Sequence, residues 1–185
     1  LPGVDGCSDA ESVGRLDDYR YSYVLAADEM DTVRYQAGVE IALRRRMDRE
    51  GCAACSNTFQ YRYGMRQLPG LASQHLMAHG YGYGGEGDWK VSALTAILKA
   101  MGENGNGASA FMEDYTYHLV EGQEYSLGAH MLEVCPSVAA ARPRIEVHPL
   151  GIGDRAPPAR LAFEGKHGRA VGATLIALGG RFRLI

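Results

Sequence analysis

The apolar residues of this chain change their period once, and that change governs what the chain can fold into. Between Asp31 and Gly102 they recur at helical spacing, as in Leu94, Ile97, Leu98 and Met101; beyond Gly107 they alternate, as a strand requires. The first stretch predicts a helix over 32–50, capped by Asp31 and ended by Gly51, then a short strand within 52–59. A second helix opens with Pro69 in its first turn and ends at Gly80, and a third starts at Asp88 and stops at Gly102. The Gly/Asn-rich run 102–107 reads as a linker, with a domain boundary near 107. After it come a strand over 111–119, a turn at Glu121-Gly122 and a return over 123–135. Further strands are expected over 160–163, 170–178 and 181–185.

Composition narrows the class. Apolar residues make up 46% of the 185 and charged residues 22%, enough to bury a core and to exclude general disorder. No apolar run approaches the ~20 residues of a membrane helix, and no basic-then-apolar leader opens the chain, so neither a membrane nor a secretory route is expected. With 19 basic against 22 acidic residues, a nucleic-acid partner is not expected either. The one basic run, Arg44-Arg45-Arg46, falls near a helix end, where it offsets the helix dipole. Four cysteines are too few for a disulfide scaffold, which points to a reducing, cytoplasmic setting. The chain starts at Leu1 and closes within a strand pattern at Ile185, so a piece of a longer protein is expected.

Two motifs invite chemical readings. Gly82-Tyr83-Gly84-Gly85-Glu86-Gly87 fits G-x-G-x-x-G before a helix, but a dinucleotide site needs a strand in front of it, and none is predicted there. The other readings are a tight connection using positive φ, and glycines that clear space around Glu86. Cys52-Ala53-Ala54-Cys55 follows a helix and leads into a strand, the reverse of a redox-active CxxC, and favours buried, unreactive thiols.

A third constellation comes from strand register. A two-residue turn at Glu121-Gly122 sets Glu113 opposite His130, with Cβ atoms about 4.5–5.5 Å apart. A carboxylate and an imidazole so placed either form a plain surface pair or share a borderline divalent ion such as Mn²⁺, with Glu86 as a further carboxylate. His118 falls on the other strand face. His75 and His79, four apart on one helix, read as polar surface, and His148 and His167 lie in or beside turns.

At these same segments the chain resembles the L-arabinose isomerase family. The matching blocks are Gln67-Leu68-Pro69-Gly70-Leu71-Ala72, residues 80–90 from Gly80 to Lys90, Phe111-Met112-Glu113-Asp114-Tyr115-Thr116-Tyr117-His118, residues 127–137 around His130, and His148-Pro149-Leu150-Gly151-Ile152-Gly153. The resemblance implies an incomplete, Rossmann-like α/β domain over 1–106. The first antiparallel strands of a β-barrel-like domain would follow over 107–185. It further implies that Glu86, Glu113 and His130 are metal ligands, with a fourth ligand, a histidine, beyond Ile185. Glu86 and Glu113 would be the catalytic pair, Phe59 and Tyr115 would bind substrate, and Asp88 would support the site. The implied cofactor is Mn²⁺, with Co²⁺ or Mg²⁺ as substitutes. The implied reaction is interconversion of L-arabinose and L-ribulose by a tetramer or hexamer, with D-galactose and D-tagatose as a second pair. A binding domain without catalysis, or a related enzyme such as an L-fucose isomerase, is the alternative. Gln60-Tyr61-Arg62 and His75 depart from the family's usual residues.

Overall fold

The computed structural model describes residues 7–26, 28–58, 64–103, 107–151 and 154–185. It is a mixture of helices and small sheets. Four helices, α1 (Asp9–Ser22), α2 (Met30–Glu50), α3 (Gly70–Ala78) and α4 (Trp89–Glu103), alternate with β1 (Val24–Leu25), β2 (Ala54–Ser56) and β3 (Gly82–Gly84). The rest holds β4 (Tyr115–His118), β5 (Tyr125–Gly128), β6 (Arg144–Val147), β7 (Ala159–Ala162), β8 (Leu175–Ala177) and β9 (Phe182–Leu184). Among the described residues no helix is long and apolar enough to cross a membrane.

Helices α2 and α4 fall where their apolar spacing places them, and α3 lies between the Pro69 and Gly80 that were expected to bound it. Gly51 ends α2 in the left-handed region at φ 65°, where its N–H returns to the carbonyls of Asp48 and Met47. Helix α1 was not expected, although Ser8 and Glu11 form a reciprocal capping box at its start.

The glycine-rich stretch needs the main correction. It contains a strand: β3 pairs in parallel with β2, Ala54 opposite Gly82 and Ser56 opposite Gly84, with α3 as the crossover between them. A strand therefore does precede α4. Its glycines admit that helix, because a Cβ on Gly82 would stand 2.2 Å from the carbonyl oxygen of Ser92, and one on Gly84 would stand 2.7 Å from that of Asp88. The two glycines of the G-x-G let α4 lie against the strand backbone.

Strand β6, also unexpected, lies between β1 (parallel) and β7 (antiparallel) in one three-stranded sheet. Leu16 and Tyr19 from α1, Tyr23 just after it, Val33 and Ala37 from α2 and Leu71 from α3 pack with Ile145, Ala159 and Leu161 of that sheet. One core thus joins residues from both sides of position 107. Gln74 of α3 fastens it: its amide donates to the carbonyls of Val134 and Leu161 at 3.1 Å, and its oxygen accepts from the Leu161 N–H at 2.7 Å. The outer strands are shorter than expected, β4 beginning at Tyr115 and β8 at Leu175.

His75 is buried, not surface; it is 1% exposed and belongs to an ionic cluster inside the helical layer. Glu40 Oε2 accepts from the Tyr19 hydroxyl at 2.7 Å and lies 2.9 Å from His75 Nδ1. Its other oxygen takes Arg44 Nη2 at 3.2 Å and stands 3.4 Å from Arg15 Nε. Burial alone would raise the Glu40 pKa, but His75, Arg15 and Tyr19 outweigh it and hold the carboxyl below its usual range. A depressed folded-state pKa contributes stability above the unfolded value, about 4.3 for Glu, and that stability is lost as pH falls through the folded value. The contribution of Glu40 to the melting temperature should therefore be constant from neutrality to about pH 5 and fall below it. In Glu40→Gln the acid-side slope should shrink, and differential scanning calorimetry across pH 3–7 checks this.

Candidate active site

The site grows from the end of β3. Past Gly84 the backbone turns through Gly85, Glu86 and Gly87, with φ of 54° at Glu86 and 84° at Gly87. The Gly87 N–H donates to Asn57 O at 2.8 Å, tying the turn to the end of β2. Asp88 then caps α4, its Oδ1 accepting from the N–H groups of Lys90 at 3.0 Å and Val91 at 3.1 Å. Against desolvation, those bonds and Lys90 hold the Asp88 pKa below the usual carboxylate range.

The second part is the β4–β5 hairpin, whose register is the one expected: Tyr115 faces Gly128 and His118 faces Tyr125. The turn closes by a bond from Gln123 N–H to Val120 O at 2.9 Å, with Gly122 at φ 77°. One further bond runs past the ladder, from Ala129 N–H to Asp114 O at 2.9 Å, and beyond it the His130 ring meets the Asp114 carboxylate, so the strict facing of Glu113 and His130 expected from the register is not kept.

Glu113 reaches back over the glycine turn. Each of its carboxylate oxygens lies 3.4 Å from where a Gly85 side chain would begin, and Phe111 Cζ lies 3.1 Å from the same point. A side chain at Gly85 would crowd the Phe111 ring and lie in ordinary contact with the Glu113 carboxylate. Burial, partly offset by His130, pushes the Glu113 pKa up, and the charges of Glu86, Glu133 and Asp114 push it further.

His130 is held on three sides. Nδ1 lies 2.9 Å from Asp114 Oδ2, Nε2 lies 3.2 Å from Glu133 Oε2, and the Phe111 ring stands edge-on at 5.7 Å. Desolvation would lower its pKa, and the two carboxylates reverse this to a net rise. Asp114 and Glu133 were not singled out from sequence. Glu133 is 3% exposed, has φ 42°, and its Oε1 has no hydrogen-bond partner among the described residues. Its signal was a charge inside the apolar run Met131-Leu132-Glu133-Val134-Cys135. Of the three non-glycine residues with positive φ among the described ones, Glu86 and Glu133 both belong here, and strain of this kind gathers at functional sites.

Two carboxylates on one imidazole, with Glu113 and Glu86 near enough to each other for their charges to interact, are donor types suited to a borderline divalent cation, which would also relieve their mutual repulsion. Among the described residues, however, no group of three or more His, Cys, Asp or Glu side chains is set to hold an ion as it stands. Both ring nitrogens of His130 face carboxylates, so ligation requires one of those contacts to open. The donor types fit a metal ion, while their convergence on one point is absent from this arrangement.

The remaining expected residues divide. Tyr115 is on β4, exposed, with its ring stacked on Tyr117 at 6.1 Å. Phe59 lies outside the described residues. His79 Nδ1 meets the His75 carbonyl at 2.8 Å, and His148 meets Glu146 at 2.7 Å. Of the CxxC thiols, Cys55 is half-buried and pushed up to about 11 by burial and by Cys52, whereas Cys52 is exposed, contrary to the buried reading.

Fold and site together define an α/β protein that sets acidic side chains around one histidine at the C-terminal end of a short parallel sheet. This chain belongs to the L-arabinose isomerase family: the family's central domain matches residues 3–104 and its C-terminal domain residues 108–185. It is 50% identical over 184 residues to the L-arabinose isomerase of Thermotoga petrophila, covering 98% of this chain and 37% of that protein. To the L-arabinose isomerase of Geobacillus stearothermophilus it is 58% identical over 155 residues, 84% of this chain and 31% of the relative. The chain spans about a third of the length of the curated relatives it matches.

Proposed function

We propose that the whole protein is an aldose–ketose isomerase that interconverts L-arabinose and L-ribulose through an enediol in arabinose catabolism, with D-galactose and D-tagatose as a second pair. The observation that supports this reading is the Glu113 carboxylate packed over Gly85, in the turn that carries Glu86, with Glu86 and His130 near enough for their charges to act on it. Glu86, Glu113 and His130 would hold one Mn²⁺, or Co²⁺ or Mg²⁺ in its place. When bound, such an ion supplies Lewis-acid stabilisation of the negative charge that develops on the sugar's first two oxygens.

The side chains supply the proton chemistry. A proton next to an aldehyde leaves only if a positioned base takes it, and two carboxylates at one turn divide that work. One of Glu86 and Glu113 takes the C2 proton and returns it to C1; the other carries the hydroxyl protons. Asp114 and Glu133 orient the His130 ring, the role that outer partners of a ligand histidine perform. Phe59 and Tyr115 would line the sugar pocket. The α/β part would be Rossmann-like and the hairpins the start of a barrel-like domain, in a cytoplasmic tetramer or hexamer.

Taken alone, the chain would bind Mn²⁺ weakly and be nearly inactive. A thermal-shift titration of the purified chain tests this. Mn²⁺ at ten times its Kd should stabilise by about 1.4 kcal/mol, a rise of about 3–6 °C for a chain of this size. NAD should produce none, because Gly82 and Gly84 are occupied by α4 packing. A shift with NAD alone, or a Mn²⁺ response that survives Glu113→Gln unchanged, would count against the proposal.

A further inference from the structure

Behind the candidate site, Lys99 of α4 and Cys135 face each other inside the protein, 8% and 0% exposed. Lysine is rarely buried to this degree without a partner. Its Nζ donates to the Ser109 carbonyl at 3.2 Å and to Cys135 Sγ at 2.9 Å, the spacing of an N–H···O bond although sulfur is the larger atom. The Ser137 hydroxyl donates to the same sulfur at 3.2 Å. A primary amine and a thiol are therefore in hydrogen-bond contact, 36 residues apart in sequence.

We propose that Lys99 and Cys135 form a redox-modification site in which a peroxide joins Nζ to Sγ as a sulfenamide. Hydrogen peroxide transfers one oxygen to Sγ: the O–O bond breaks, an S–O bond forms, and water leaves. Nζ then attacks the sulfur of this sulfenic acid; an N–S bond forms, the S–O bond breaks, and the hydroxyl takes a proton from nitrogen and leaves as a second water. Thiol, amine and peroxide give sulfenamide and two waters; the sulfur loses two electrons and the peroxide gains them. A peroxide hardly larger than water reaches the pair through local opening of the fold. Sulfenic acids condense with a backbone nitrogen in the same way, and here the side-chain amine is already in place.

The cross-link would fasten α4 to the segment that carries Glu133 and the 3₁₀ turn Pro136–Val138. Cys135 packs with Tyr83 and Phe111, and the Phe111 ring is the one set against His130. Oxidation at Cys135 therefore acts on the wall of the candidate site without touching its carboxylates.

Peptide mass spectrometry tests this on purified protein treated with hydrogen peroxide and then alkylated in denaturant. The expected product is a joined peptide containing Lys99 and Cys135, lighter than the two separate peptides by two hydrogen atoms and separated again by dithiothreitol. In Lys99→Arg, with folding checked by circular dichroism, the joined peptide should vanish and Cys135 should appear as sulfinic acid. Recovery of wild-type Cys135 as alkylated thiol or unlinked sulfinic acid, in a sample whose exposed Cys52 is oxidised, overturns the proposal. That wild-type result decides by itself if the Lys99 variant does not fold.

Discussion

Glu113→Gln in a full-length protein carrying this sequence should lower arabinose isomerisation by about 10³-fold, inside the range lost with a positioned acid–base group, and leave the melting temperature within about 2 °C, as expected of a surface substitution. Glutamine has the shape of glutamate, so it keeps the place over Gly85. What it loses is the charge and the ability to take up a proton. The fall should therefore appear in kcat, with Mn²⁺ binding weakened alongside it. Two neighbours give graded comparisons. Asp114→Asn keeps a hydrogen-bond acceptor for His130 Nδ1 and should be milder. Gly85→Ala keeps every functional group but puts a methyl at 3.1 Å from Phe111 and 3.4 Å from the carboxylate, so it should fall between the two. A Glu113→Gln enzyme working within tenfold of the parent would remove Glu113 from the chemistry.

The parts of this structure that were legible in the sequence are those fixed by local rules. A turn dipeptide at Glu121-Gly122 determined the hairpin register, from Tyr115 opposite Gly128 to His118 opposite Tyr125. Apolar periodicity located α2 and α4, and Pro69 and Gly80 bracketed α3, whose residues from Gly70 to Met77 are all buried. What escaped depends on partners distant along the chain. Strand β3 consists of Gly82, Tyr83 and Gly84, a composition with poor strand preference. It is a strand because β2 pairs with one edge while α4 rests on its backbone. Strands β1 and β6 are short and pair in parallel across about 120 residues, with no local signal to mark them. His75 looked like surface because its partner Glu40 comes from another helix. Glu133 was visible only as a charge out of place in an apolar run, and its meaning came from the imidazole three residues before it.

Gly82→Ala is the substitution expected to damage the fold most for its size. The added methyl would lie 2.2 Å from Ser92 O, 2.7 Å from Ala96 N and 2.8 Å from Ala96 Cβ, and two of these are backbone atoms of α4 that no rotamer change can move. The helix has to back away from the sheet, and overpacking of this kind costs about 3 kcal/mol. For a chain of this size that is a melting temperature lower by about 6–12 °C. Gly14 of α1 is the control of opposite sign: a methyl there meets nothing within 4 Å, so Gly14→Ala should stabilise the helix by about 0.5–1 kcal/mol. The two effects separate packing from helix preference in one calorimetric series. Because Glu86 sits in the turn between β3 and α4, a displaced α4 should also blunt the Mn²⁺ response of Gly82→Ala, even at temperatures where the variant remains folded. If Gly82→Ala melts with the parent, α4 does not rest on the β3 backbone, and the glycines of the G-x-G would again need another reason to be there.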